Sequence, residues 1–323
     1  MSRHLIVYPN CSKGGVTSVI RNRALLHPEN EIIAVFINDR GGRDAYANIP
    51  NLQVRVVDER VLDSYLAYVV STFNPDQTSI LNLPLSANNI PKHEGMKLVY
   101  EFHSSSLLSI HKELGKLDVE NIDEFWVPSE QMRSVLSTEL ESELMQKFQV
   151  VPNEVNLDVF TKEGKRINLA LVFEQPCKPL VWIGRLEWLK GDVDFLRLVA
   201  ALPDEYKAVM IVSLENDILK VERILHEANA LGVSDRLHFV MDLSQEEVAA
   251  YMRAAVENSG WFVSTSYNES FGYAVYEALG TGLRTVAFRP QVEVWTDLSE
   301  EDGAFFVPLG DIRGMKDIIL SQS

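Results

Sequence analysis

Short apolar runs alternate with helix-periodic stretches along the whole chain. In the first half the runs at 4–8, 32–37, 54–57, 78–83, 98–102, 125–127 and 148–151 predict strands. Between them, 16–26 and 62–73 carry apolar residues at helical spacing, and Ser129 is placed to cap a helix running toward Met145. The second half repeats the style, with strands predicted at 180–183, 208–212, 237–241, 261–264 and 285–288. Its helices are predicted at 193–202, at 217–231 with Gly232 as the stop, from a capping box at Ser244-Gln245-Glu246-Glu247 to about Val256, and after Ser264 to about Leu279.

Strands that alternate with helices argue for parallel sheets covered on both faces. Two such series predict an α/β chain of two doubly wound, Rossmann-like domains. The polar, aperiodic stretch at 152–175 holds the join, and the domains are set at 1–160 and 161–323. Ligands of such sheets sit beyond the C-terminal strand ends, so the cleft between two facing domains is the expected site.

Charge narrows the partners. Against 30 Lys and Arg stand 46 Asp and Glu, a net charge of −16, and both halves are acidic. A nucleic-acid backbone is excluded as the main partner, and no basic run suits an anionic membrane surface. No apolar run reaches the roughly 18 residues of a transmembrane segment, and the N-terminus lacks the apolar core of a signal peptide. Two cysteines make neither a disulfide framework nor a four-thiolate zinc site, and a cytoplasmic location is expected. Any phosphate site must be local, built from a few cations and backbone N–H groups.

Three stretches offer such a site. Gly14-Gly15 separates a strand from a helix and lets backbone approach a phosphate. Gly184-Arg185-Leu186-Glu187-Trp188-Leu189-Lys190-Gly191 places two cations in a loop after another strand. From Ser264 to Gly282, Glu269 lies in a loop and Glu277 about two turns into the helix, with Phe271-Gly272-Tyr273 offering N–H groups between them. Read alone, a tight turn, two solvated cations and a helix-start carboxylate explain each stretch as well.

Taken in order, these stretches resemble glycosyltransferase family 4, retaining enzymes of the GT-B fold, over nearly the whole chain. Residues 151–160, Val-Pro-Asn-Glu-Val-Asn-Leu-Asp-Val-Phe, are similar to the family's interdomain Pro-Asn-Gly-Val-Asp…Phe segment. Gly184-Arg185-Leu186…Lys190-Gly191 matches its Gly-Arg-Leu…Lys-Gly motif, and Glu269…Glu277 its Glu-x7-Glu motif with the internal Phe-Gly. Gly14-Gly15 falls at its N-terminal Gly-Gly loop, and Glu301-Asp302-Gly303…Val307-Pro308…Asp311 resembles the segment closing the second domain. The chain departs from the pattern at Glu154 and Ser270, each in place of Gly, and at Arg284 in place of Pro. The helix that crosses back to the first domain in many relatives is expected to be abbreviated or missing.

The resemblance implies a hexose-transferring enzyme that takes a nucleotide sugar as substrate, with no further cofactor and no metal. In it Gly14, Gly15, Arg185 and Lys190 would hold the donor diphosphate. Glu269 would meet hydroxyls of the transferred sugar, beside the backbone of Phe271, Gly272 and Tyr273. Glu277 would accept from the ribose, and His103 would face the donor sugar. The acceptor class stays open among saccharides, lipid-linked and small-molecule acceptors. A GT-B protein that binds a nucleotide sugar without transferring it and a GT-B sugar-nucleotide epimerase are the alternatives. A pyridoxal-phosphate phosphorylase would need a lysine site that the sequence does not offer.

Overall fold

The computed structural model describes residues 1–104, 106–212, 218–292 and 294–322. Two compact units divide it, Met1–Glu154 and Val155–Ser323, a division ahead of the expected 160/161 boundary. Among the described residues the first unit contains β1 (Arg3–Cys11), β2 (Glu31–Asp39), β3 (Leu52–Val56), β4 (Gln77–Leu81), β5 (Lys97–Glu101), β6 (Glu124–Val127) and β7 (Phe148–Val150). They form one parallel sheet in the order β3-β2-β1-β4-β5-β6-β7. The second contains β8 (Lys178–Gly184), β9 (Tyr206–Val212), β10 (Leu237–Met241), β11 (Trp261–Ser264), β12 (Thr285–Phe288) and β13 (Ala304–Val307), parallel in the order β10-β9-β8-β11-β12-β13. Both sheets are the doubly wound kind that the alternation predicts.

Side-chain alternation explains how both faces are filled. In β1, Leu5 and Val7 pack with Leu62, Leu66, Val69 and Val70 of helix Leu62–Phe73, while Ile6 joins Ile20 and Ala24 of helix Gly15–Leu26 on the other face. In β8, Trp182 joins Phe195 and Leu198 of helix Asp192–Ala201, and Val181 packs with Met252 and Ala255 of helix Gln245–Glu257. Asn74, left-handed at φ 49°, stops Leu62–Phe73 ahead of Pro75. The capping box opens Gln245–Glu257, with Ser244 Oγ accepting from Glu247 N at 3.2 Å and Ser244 N donating to Glu247 Oε2 at 2.8 Å.

Several elements depart from expectation. β1 runs on to Cys11 through Pro9. Beyond Val7 it pairs only with β2, so the N–H that proline lacks is not needed. The helix expected after Ser129 breaks into Glu130–Ser137 and Ser142–Met145. At the break, Ser137 and Thr138 donate their hydroxyls back to the carbonyls of Ser134 and Val135, competing with helix propagation. Helices Pro84–Asn89, Leu107–Leu114 and Ile312–Ser321 and strand β13 are additions to the sequence reading. The helix placed at 217–231 is Ile218–Ala230, with Asp217 outside the described residues.

Each sheet has one place where strand order reverses, β1/β4 in the first unit and β8/β11 in the second. Loops leaving opposite faces part there and open a crevice. The Gly14-Gly15 loop follows β1, the Arg185–Lys190 loop follows β8, and the Glu269 loop follows β11, so the three candidate stretches all sit at reversal points. The chain entering the second unit is pinned by Arg253, which donates to the carbonyls of Val159 (3.0 Å), Thr161 (3.1 Å) and Lys165 (2.8 Å). Arg253→Met should leave those carbonyls without their donor and destabilise the second unit by roughly 2 kcal/mol or more. Hydrogen exchange should quicken at 159–167 and stay unchanged in β1 and β4; equal quickening in both units contradicts this local role.

Candidate functional site

In the second unit the two motif loops are tied together by side-chain and backbone bonds. Gly191, left-handed at φ 63°, ends the turn Trp188–Lys190 and caps helix Asp192–Ala201. A Cβ there would lie 2.1 Å from the Thr265 carbonyl oxygen, so only glycine fits. Thr265 Oγ1 accepts from the buried Trp182 indole at 3.1 Å and shares its proton between the Gly191 (2.8 Å) and Lys190 (3.1 Å) carbonyls. Tyr267 N donates to Leu189 O at 2.8 Å. The Tyr267 hydroxyl donates to Asp194 Oδ2 at 2.6 Å, and that bond raises its pKa, burial adding to the effect.

This lacing sets the charges. Lys190 Nζ lies 2.6 Å from Glu269 Oε1, joining the two motifs in one place. Arg185, just past β8, is half exposed and 3.5 Å from Glu187. Glu277 lies half buried on helix Tyr273–Gly280, about one turn inside it rather than two, because the helix starts only at Tyr273. Gly272 caps that helix at φ 76°, and a Cβ on it would strike the Trp295 ring at 2.3 Å. Phe271 stacks on Tyr276 at 5.0 Å and meets Tyr273 at 4.7 Å, leaving backbone as the face of this turn.

Helix starts differ in what already neutralises them. Asp192 and Asp194 occupy the first turn of Asp192–Ala201, and Arg223 pairs with Asp192 at 2.5 Å. Helices Gly15–Leu26 and Tyr273–Gly280 carry no acidic residue in their first turns. Their positive ends therefore meet no carboxylate from their own first turn.

In the first unit, Thr17 Oγ1 donates to Ser12 O, closing the turn before Gly14-Gly15. A Cβ on Gly15 would meet nothing within 4 Å, and one on Gly14 only Ser12 Oγ at 3.9 Å. Within this unit neither position needs glycine for space. His103 follows β5 and bonds from Nε2 to Glu101 Oε2 at 2.8 Å. Glu101 is buried and receives both Arg23 nitrogens, Nη1 at 2.8 Å and Nη2 at 2.9 Å. Burial pushes the Glu101 carboxyl up, but the Arg23 guanidinium and then the His103 bond hold it well below the carboxylate range.

Arg23, Glu101 and Thr265 are absent from the sequence reading. Glu101 carried one signal: it is the last residue of the strand after which His103 comes two positions on. Of the departures, Glu154 bonds His27 at 2.7 Å and receives Asn22 Nδ2 on its carbonyl at 2.8 Å, while Arg284 lies over Trp261 at 4.5 Å. Ser270 is half buried in the Glu269 loop. Among the described residues no group of three His, Cys, Asp or Glu is placed to hold a metal ion, and no helix is long and apolar enough to cross a membrane.

Arg23→Met should leave a buried carboxylate with the His103 bond but without its guanidinium, and cost roughly 3–5 kcal/mol. In the native protein the lowered pKa of Glu101 gives stability that is present above its unfolded value, 4.5, and lost as pH falls through the folded one. In Arg23→Met the orphan carboxylate instead takes up a proton as pH falls, so the deficit against wild type should shrink toward pH 4. Urea titrations at pH 7 and pH 4 read it; a deficit that is equal at both pH values contradicts the pairing.

Comparison with known proteins follows this geometry. Residues 173–314 match the family described as Glycosyl transferases group 1. The D-inositol 3-phosphate glycosyltransferase of Mycolicibacterium smegmatis is 30% identical over 176 residues, 51% of this chain and 39% of that protein. Its counterpart from Corynebacterium jeikeium is 33% identical over 154 residues, 44% and 35% of the two. The chain thus spans about two fifths of the length of the curated relatives it matches. The structure of Anabaena HepE in complex with UDP-glucose has a TM-score of 0.79 at 15% identity, over 99% of this chain and 89% of that one. Sucrose-phosphate synthase from Thermosynechococcus elongatus gives 0.75 at 16%, with the same coverage. These likenesses show the fold, two Rossmann-like domains of the GT-B class.

Proposed function

We propose that the chain, whose residues 173–314 match the group 1 glycosyl transferases, moves a hexose from a nucleotide-sugar donor to an acceptor, with retention and without a metal. The observation that carries this reading is the 2.6 Å contact between Lys190 and Glu269. It makes one site of two motifs that are distant in sequence, beside a helix start that has no acid of its own.

Breaking the sugar–diphosphate bond gathers negative charge on the leaving group and positive charge on the sugar ring. Lys190, Arg185 and the N–H groups of the Tyr273–Gly280 helix stabilise the first. Glu269 answers the second by accepting from sugar hydroxyls, and Glu277 accepts from the ribose. Retention fits same-face attack, in which the departing phosphate oxygen takes the acceptor's proton. The ligands in complex with HepE, UDP with glucose and UDP-glucose, make a uridine diphosphate sugar the first donor to try. Cys11 and Cys177 are free and buried, which suits a reducing, cytoplasmic compartment.

Donor turnover measured in EDTA separates the roles. Activity should survive the chelator. Glu269→Gln should lower kcat, because hydrogen bonds to the sugar strengthen as its ring becomes positive. Glu277→Gln should mainly raise KM, since the ribose does not change during reaction. Loss of all activity in EDTA with rescue by Mg²⁺ contradicts the leaving-group assignment, and unchanged kcat and KM in both variants contradicts the site.

A further inference from the structure

Helix Gly15–Leu26 ends beside the point where the chain leaves the first unit. Val151 N donates to Val127 O at 2.9 Å, so the chain is still tied to β6 there. Further on, Asn22, buried in the helix, donates from Nδ2 to the carbonyl of Glu154 at 2.8 Å. His27 caps the helix, and its Nε2 lies 2.7 Å from Glu154 Oε1. Glu154 is the last residue of the first unit. On the far side, Arg253 holds the carbonyls of Val159, Thr161 and Lys165, and Phe160 is buried. Residues 155–158 lie between these two grips and belong to neither helix nor strand. The joining chain is thus held at both ends, and its freedom depends on how firmly each end is held.

The two bonds to Glu154 differ in kind. An amide has no charge to lose, so the Asn22 bond is the same at every working pH. The His27 bond is charge-assisted only while the ring is protonated, and such bonds are about twice as strong as neutral ones. Glu154 at 2.7 Å, Glu29 at 3.5 Å from Nδ1, and the last carbonyls of the helix all favour the protonated ring. The cations nearby are Arg23, one turn back and paired with Glu101, and His4 of β1, whose pKa is lowered by burial first and then by Arg23. In balance the pKa of His27 is raised, with the Glu154 bond as the largest cause and burial opposing it. We infer that His27 and Glu154 form a pH-sensitive clasp on the chain joining the two units, tight while His27 is protonated and slack once it loses its proton. A raised folded pKa gives stability that is present below the unfolded value, 6.5, and lost as pH rises through the folded one. Both side chains are half exposed, so the change is modest. Glu154 stands in place of the Gly of the family pattern, and glycine offers no carboxylate, so the clasp belongs to this chain. It does not depend on what the protein transfers.

Two measurements on the full chain test this. Histidine-ring NMR signals are followed against pH, with His27 assigned by the loss of its signals in His27→Gln. Its midpoint should lie above 6.5, and in Glu154→Gln its protonation constant should fall roughly two- to fivefold. A midpoint at or below 6.5 in the native protein, or one that Glu154→Gln leaves unmoved, overturns the clasp. The second measurement is cutting by thermolysin before Val155 and Leu157, read by mass spectrometry at pH 6 and pH 8.5. Each rate is divided by that of a free peptide of residues 150–161 at the same pH, which removes the pH dependence of the protease itself. When opening is fast, this ratio tracks the population of the open form. It should rise roughly two- to fivefold from pH 6 to pH 8.5 in the native protein and stay level in His27→Gln. Equal ratios at the two pH values in the native protein, or a rise that persists in His27→Gln, overturn it.

Discussion

The hydroxyl of Thr265 accepts from the buried indole of Trp182 and gives its proton to the carbonyls of Gly191 and Lys190. Through that group the loop after β8 is fastened to the end of β11 at the sheet's reversal point. Gly191 fits only because it has no side chain where Thr265 passes, and its left-handed turn aims Lys190 back toward Glu269. Without the fastening, the cations and the Glu269 loop would be two exposed segments with no fixed relation. A preorganised site differs from a charged surface in this respect, since its groups need not be ordered when the reaction charge develops.

The acidity of the chain gives this arrangement a second meaning. With a net charge of −16, a dianionic ligand is repelled by most of the molecule. Attraction must come from short range, where Arg185, Lys190 and bare helix ends outweigh the background. Some helix starts are neutralised internally, as at Asp192 and Asp194. The Gly15 and Tyr273 starts are among those without an acid in the first turn.

Much of this was legible before any coordinates. The strands at the sheet centres are short apolar runs between turn residues, and helix Leu62–Phe73 follows from its spacing alone. Gly-Arg-Leu…Lys-Gly and Glu-x7-Glu are visible because local order sets their geometry. What stayed hidden is set by contacts between residues far apart in the chain. Arg23 meets Glu101 across 78 positions, and Thr265 meets Gly191 across 74, with no periodicity to announce either. The break after Ser137 escaped for a different reason: hydroxyls that return to the backbone end a helix whose apolar pattern continues. The share of Glu277 in the helix was overstated because Gly272, in its left-handed turn, delays the start to Tyr273.

Calorimetric titration of the full chain with UDP and GDP, and with the matching monophosphates, in EDTA tests the central claim most directly. If the fastened loop and the bare helix start form a diphosphate site, at least one nucleoside diphosphate binds without metal, and removing its second phosphate weakens binding tenfold or more, about 1.4 kcal/mol. Equal affinity for diphosphate and monophosphate, or binding of the diphosphate only after Mg²⁺ is added, would contradict it.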